Sequence, residues 1–208
     1  PIPVDVPLVL ARTTHAATLA LGGVVVAEAR PAHVDVGEAP VVSVEMAREA
    51  GDRYVGHEQH PYPSCFCCGP ARGSGDGLRV FVGSVHGGRA VAGLWTAQRA
   101  FADPSGRLPM EIAWSVIDCP GIWALIADAP EDSDEQVVTG TLDVRIDHPL
   151  RADTRYVVTA WPMGREGRRL YAGTTVSDDR GEVAVTAMQT CVVSSPGAPL
   201  GRSTWRST

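Results

Sequence analysis

Residues 57–70, HEQHPYPSCFCCGP, gather two histidines and three cysteines. His57-x2-His60-x4-Cys65-x2-Cys68 offers the ligand types of a structural zinc site. The usual order is Cys-x-x-Cys first, then an excursion of roughly ten or more residues, then His. Here all four candidates stand within twelve residues, and Pro61 and Pro63 stiffen the chain between them. The stretch is therefore read with no metal, as a rigid, turn-rich lead-in packing small thiols and Phe66 against a sheet. A Cys65–Cys68 disulfide is not expected in a reducing compartment, although Cys-x-x-Cys can form one.

The second candidate is Asp118, alone in the apolar run PMEIAWSVIDCPGIWALIAD at 109–128. A carboxylate there needs a partner or a raised pKa. It is either a general base or nucleophile, or a structural carboxylate bonded to backbone groups freed at Pro120. Glu111 is a second acid/base candidate, or simply a favourable charge in a first helical turn, the reading preferred. Cys119 faces differently from Asp118 and reads as a small residue of the core or pocket wall. Trp114 and Trp123, nine residues apart, lie on opposite sides of an ideal helix, as core or pocket wall.

These residues need elements to hold them. GLRVFVGSV (77–85) and RAVAGLWT (89–96) alternate and read as a hairpin across HGG (86–88). Residues 109–128 are too long for a strand and apolar nearly all round, so they read as a buried central helix. Pro109 suits its start. Pro120 cannot bond the carbonyl of Val116, which predicts a kink or break. After a solvated acidic loop at 129–136 come β-type runs at 137–147, 154–162, 168–177 and 182–193. GREG (164–167) and DDRG (178–181) supply turns. Residues 42–56 read as a short amphipathic helix with Ser43 as N-cap. One helix cannot bury two sheet faces, so a sheet curled around the helix is expected, with a partner covering other apolar surface.

Composition narrows the function classes. The net charge is −6, which argues against a nucleic-acid backbone as partner. All eighteen basic residues are Arg, as coding bias in a GC-rich bacterial genome would give. No uncharged apolar stretch of about 18 residues appears, so no membrane span is expected. Five cysteines at uneven spacing and no export signal point to reduced thiols and a cytoplasmic protein. The sequence opens at Pro1 rather than Met, which leaves room for an upstream segment.

The first forty residues echo the second half. PIPVDVPLVLAR (1–12) aligns with PLRADTRYVVTA (149–160), pairing Asp5 with Asp153 and Val9 with Val157. GGVVVAEA (22–29) aligns with RGEVAVTA (180–187). This reads as an internal repeat whose first copy keeps only three strands.

Together, CFCCGP…GDGLRVF, EIAWSVIDCPGIWAL and the strand series from GTLDVRID to MQTCVV resemble the hotdog-fold thioesterase superfamily, in its PaaI-like branch. The resemblance implies an α+β hotdog fold, an antiparallel sheet wrapped around one long central helix. It implies the domains 1–40, a partial hotdog-like β unit; 41–59, a linker helix; 60–193, the hotdog domain; and 194–208, a disordered tail. It further implies an acyl-CoA or acyl-carrier-protein thioester as ligand, no cofactor, and a homodimer. In that branch the helix opens with His-Gly-Gly, and an Asp follows about nine residues later. Setting Pro109-Met110-Glu111 on His-Gly-Gly puts Asp118 on that Asp. Pro109, Met110, Trp114, Cys119 and Trp123 would then line the substrate pocket, with Asp118 and Glu111 as catalytic candidates. Met110 and Glu111 depart from the family glycines, which keeps a non-catalytic binder as an alternative. An enoyl-thioester hydratase is a third reading, with His148 as its histidine.

Overall fold

Turn chemistry sets the first unit. Gly22 and Gly23 take positive φ, +56° and +84°, the conformation of a two-residue turn whose twist matches its strands. They join β2 (Ala17–Leu21) to β3 (Val24–Ala29), and β1 (Val9–Arg12) pairs antiparallel on the other side of β2. In the computed structural model, which describes residues 5–85, 88, 90–128 and 135–194, residues 1–33 and 34–208 form two compact units. His86 and Gly87 of the expected hairpin turn, residues 129–134 of the acidic loop, and the tail from 195 lie outside the described residues.

The second unit opens with α1 (Val44–Asp52). The Ser43 hydroxyl caps it, accepting from Met46 N–H at 3.2 Å. Its apolar side does more than link: Ala47 packs with Ala92 and Val157 of the large sheet. That sheet contains β4 (Gly83–Ser84), β5 (Val91–Thr96), β6 (Gln136–Ile146), β7 (Arg155–Glu166), β8 (Arg169–Ser177) and β9 (Val183–Ser194). Its spatial order is β4-β5-β7-β8-β9-β6, with all neighbours antiparallel. Between β5 and β6 runs α2 (Met110–Asp128), which carries the chain from one side of the sheet to its far edge.

β4 is shorter than the alternation at 77–85 suggests. Leu78 and Val80 spend their N–H groups on the carbonyls of Phe66 and Cys67 instead. The cysteine-rich lead-in is thereby hydrogen-bonded to the segment entering the sheet. Ala113, Val116, Ile117, Trp123 and Ala124 of α2 share one core with Leu78, Val80, Trp95, Tyr156, Val158 and Val185. By length and composition alone α2 is apolar enough to cross a membrane. Here these side chains are buried against the unit's own sheet.

The helix runs unbroken through Pro120, so of the expected kink or break the break does not occur. The Val116 carbonyl that Pro120 cannot serve accepts instead from the Cys67 thiol at 3.8 Å. Two backbone positions echo between the units. Asp5 and Asp153 both take left-handed φ, +62° and +60°, and Gly23 and Gly181 both take +84°.

Candidate functional site

One side of α2 runs from exposed residues near its first turn to a half-buried one where the sheet passes it. Met110, Trp114 and Asp118 follow one another at i, i+4 and i+8, so they stack along one side of the helix. Met110 is 64% exposed and Trp114 38%. Asp118 is half-buried where β6 and β9 pass it. Thr139 of β6 donates its hydroxyl to Asp118 Oδ1 at 3.3 Å. Gln189 of β9 donates Nε2 to Thr139 Oγ1 at 2.8 Å, to the Asp118 carbonyl at 3.0 Å and to Asp118 Oδ1 at 3.4 Å. A β-bulge interrupts the β6–β9 register between Thr139 and Thr141, and Thr139 beside it reaches the helix.

These partners are neutral donors. Burial raises the Asp118 pKa above the ordinary carboxylate range; the Thr139 hydrogen bond opposes the rise and nearby Cys65 adds to it. Cys191, buried on β9, is pushed up to about 12 by burial and then by the Asp118 charge, so it stays a protonated core thiol.

At the N-terminal end of α2 lies a cleft of about 590 Å³, with Met110, Ala113, Trp114, Val144, Ile146 and His148 in its wall. Neither Asp118 nor Glu111 lines it. His148 Nε2 stands there 3.0 Å from Glu182 Oε1, whereas the partners of Asp118 are Thr139 and Gln189. Glu111 is exposed on the first turn, and its carbonyl accepts from the Ser115 hydroxyl at 2.8 Å. The N–H groups of Ile112 and Ala113 turn back to the Pro109 carbonyl.

One residue past Asp118 the helix meets a different neighbourhood. Cys119 Sγ lies 3.6 Å from Cys65 Sγ, and Cys68 Sγ lies 3.7 Å from Cys65 Sγ. His60 Nε2 approaches Cys68 Sγ at 3.2 Å. Thiol hydrogen bonds from Cys119 and then Cys68 pull Cys65 well below the ordinary thiol range. The Cys119 and Cys68 thiols are pushed up, chiefly by the same contacts among the three. Trp123 is buried on this side, edge-on to Tyr54 and His60. It therefore stands apart from Met110 and Trp114. His57 packs edge-on to Phe81 and Tyr54.

The sheet order, with one long helix inserted between its second and third strands and buried on one face, decides the architecture. This is a hotdog domain. No family model matches the sequence, and no curated protein matches it. Among solved structures, the chain is similar to a phenylacetic acid degradation-related protein from Ralstonia eutropha, at 20% identity and TM-score 0.49, over 56% of this chain and 86% of that one. It is similar to a Bacillus halodurans protein solved with CoA, at 15% identity and TM-score 0.49, over 57% and 76%. A mutant thioesterase from Pseudomonas aeruginosa gives 16% identity and TM-score 0.49, over 56% and 81%. Likeness at this level transfers no activity from one chain to another.

Sequence reasoning missed Thr139 and Gln189. The signal for Gln189 was an uncharged polar residue sharing strand parity with Val185, Ala187, Cys191 and Val193, all buried. Thr139 offered none, because Thr is ordinary in strands.

Proposed function

We propose that the hotdog domain binds an acyl thioester, of coenzyme A or of an acyl-carrier protein, along the open stripe of α2 and hydrolyses it. The observation that carries this reading is Asp118. It is a partly buried carboxylate with a raised pKa, held by neutral donors, on the stripe that also presents Met110 and Trp114 to the cleft. The acyl chain would lie against Met110 and Trp114. Asp118 would take a proton from a water as that water attacks the thioester carbonyl, the thiolate leaving and collecting a proton; burial makes it a stronger base than a solvated carboxylate. Direct attack by Asp118 is the variant of the same step. A second copy of the chain would complete the pocket. β6 is an edge strand of the sheet, the kind of strand that pairs with another chain, and its Val144 and Ile146 form part of the cleft wall. Glu111, in the first turn, would be a peripheral acid rather than the base. The five cysteines are free, which suits the reducing cytoplasm we assign to the protein.

The test is thiol release from a panel of short, medium, long and aromatic acyl-CoAs, with Asp118→Ala alongside. Turnover that collapses in the variant supports the reading. Full activity in Asp118→Ala overturns the mechanism. A second reading, binding without turnover, is favoured by the first turn of α2. There Met110 and Glu111 stand where glycines would let a carbonyl approach backbone N–H groups, and a carboxylate opposes the charge that develops on the oxygen. Tight acyl-CoA binding with no thiol release on any substrate would select it.

A further inference from the structure

The thiol cluster goes beyond the thioesterase reading. Cys65 and Cys68 come from the lead-in, and Cys119 arrives from α2, more than fifty positions away in sequence. Their three sulfurs all lie within 4.8 Å of one another. Hydrophobic packing alone has no reason to bring three sulfurs to one point. Zinc–sulfur bonds of about 2.3 Å set tetrahedral sulfurs roughly 3.8 Å apart. The observed separations of 3.6 Å and 3.7 Å fall on that edge length.

The surroundings are those of thiolates. His60 Nε2 stands 3.2 Å from the Cys68 sulfur, and the Trp123 ring packs edge-on to His60. Gly69 is required by this turn. A Cβ there would stand 2.5 Å from the Cys65 N and O and from the Pro63 O. Tyr54 fixes the other end, donating its hydroxyl to the Cys68 carbonyl at 2.9 Å. His60 Nδ1 accepts from Tyr62 N–H at 2.9 Å, which leaves the proton of a neutral ring on Nε2, facing Cys68.

We propose that Cys65, Cys68 and Cys119 bind one zinc ion as three thiolates, with His60 as a hydrogen-bond donor to the Cys68 sulfur rather than a ligand. The fourth position is left to solvent. Bound as three thiolates, the Zn–S₃ unit carries one net negative charge, which the His60 N–H beside the Cys68 sulfur helps to offset. The site fastens the lead-in to the central helix one residue past Asp118.

The experiment is metal analysis of the full chain purified under reducing, anaerobic conditions, followed by titration of the metal-free protein with Co²⁺. The expected result is about one zinc per chain and, with Co²⁺, the thiolate-to-metal charge-transfer and intense visible bands of a tetrahedral sulfur-rich site. Cys119→Ser should lower the charge-transfer intensity per bound Co²⁺ by about a third, one thiolate of three, and weaken binding, while Cys191→Ser keeps both. His60→Gln should retain the bands but bind about 10–100-fold more weakly, as loss of an outer-shell partner does. Where Cys119→Ser fails to fold, release of zinc from the unmodified protein on titration with a mercurial reagent gives the same answer. Protein that is zinc-free as purified and shows no Co²⁺ charge transfer overturns the proposal, as does a Cys65–Cys68 disulfide in the anaerobic protein. Acyl-CoA turnover is not the readout, so this inference stands or falls apart from the hydrolase reading.

Discussion

Asp118 and Cys119 are neighbours in sequence, about 100° apart around α2, and they look into different chemistries. Asp118 meets the far edge of the sheet, where Thr139 and Gln189 hold it with neutral donors. Cys119 meets the lead-in, where two further sulfurs converge on it. One helical turn thus serves two polar sites inside an otherwise apolar element, and Pro120 follows directly. The helix tolerates the proline because side chains from outside serve nearby carbonyls: Cys67 bonds Val116 O, and Gln189 bonds Asp118 O. The difference between the two sites lies in what they would do. In the proposed reading the Asp118 carboxylate would act on a bound thioester, whereas the thiols against the lead-in face their own chain. Separating the two by substitution is therefore the direct test.

The largest separation is expected from Asp118→Asn. Asparagine keeps the shape and the Oδ1 acceptor but cannot take a proton, so thioester turnover should fall by about 10²–10⁴-fold. The metal content and Co²⁺ spectrum should stay as in the parent. Loss of both together in a folded protein would show that the two sites are one, and unchanged turnover would leave the open stripe without chemistry.

Much of this was legible in the sequence. The central helix, the four long strands after it and the Ser43 cap followed from periodicity and turn residues. Asp118 stood out because a charge in an apolar helix must be accounted for. The thiol cluster was not legible, and the reason is physical. Cys-x-x-Cys was judged by its local spacing to His57 and His60, while the third sulfur comes from Cys119, which helix periodicity alone assigns to core. Tertiary hydrogen bonds, those of Leu78 and Val80 to the lead-in and of Cys67 to Val116, bring Cys65 and Cys68 to α2. The expected repeat rested on matched letters, and two positive-φ conformations recur at matched positions. Asp5 and Asp153 share one left-handed conformation, and Gly23 and Gly181 share another. We propose that residues 1–40 descend from a hotdog unit equivalent to β7–β9. The exposure of Val9, Leu10, Val24 and Val25 then marks the lack of a helix like α2 in that copy.

A smaller effect tests how closely the Asp118 side is built. A Cβ on Gly121 would stand 2.2 Å from Gln189 Oε1 and 3.3 Å from the Ala172 Cβ. Gly121→Ala should therefore cost about 1–3 kcal/mol of stability by overpacking. Pairing it with Gln189→Ala should recover part of that loss, so the double variant unfolds at a higher temperature than additivity predicts. Additive losses would mean that Gly121 is needed for some reason other than Gln189. Co²⁺ binding by the refolded single variant should be unchanged, since the thiols lie on the other side.

The smallest effects concern protons. Asp118 has a folded pKa above its ordinary value of 3.8 because of burial. Between those two values the folded chain binds more protons than the unfolded one, so stability falls as pH rises through the window and stays lowered above it. Asp118→Asn should remove that slope: its melting temperature should gain on the parent as pH increases from the acid side, and a constant difference would contradict the assigned burial. Thr139→Val acts in the opposite sense. The Thr139 hydroxyl holds the carboxyl down, so its loss should move the acid limb of the turnover profile to higher pH and cost about 1 kcal/mol. Thr141→Val, across the bulge on the same strand and exposed, should leave that limb in place. If both variants shift it equally, the effect belongs to the strand and not to the Thr139 hydrogen bond.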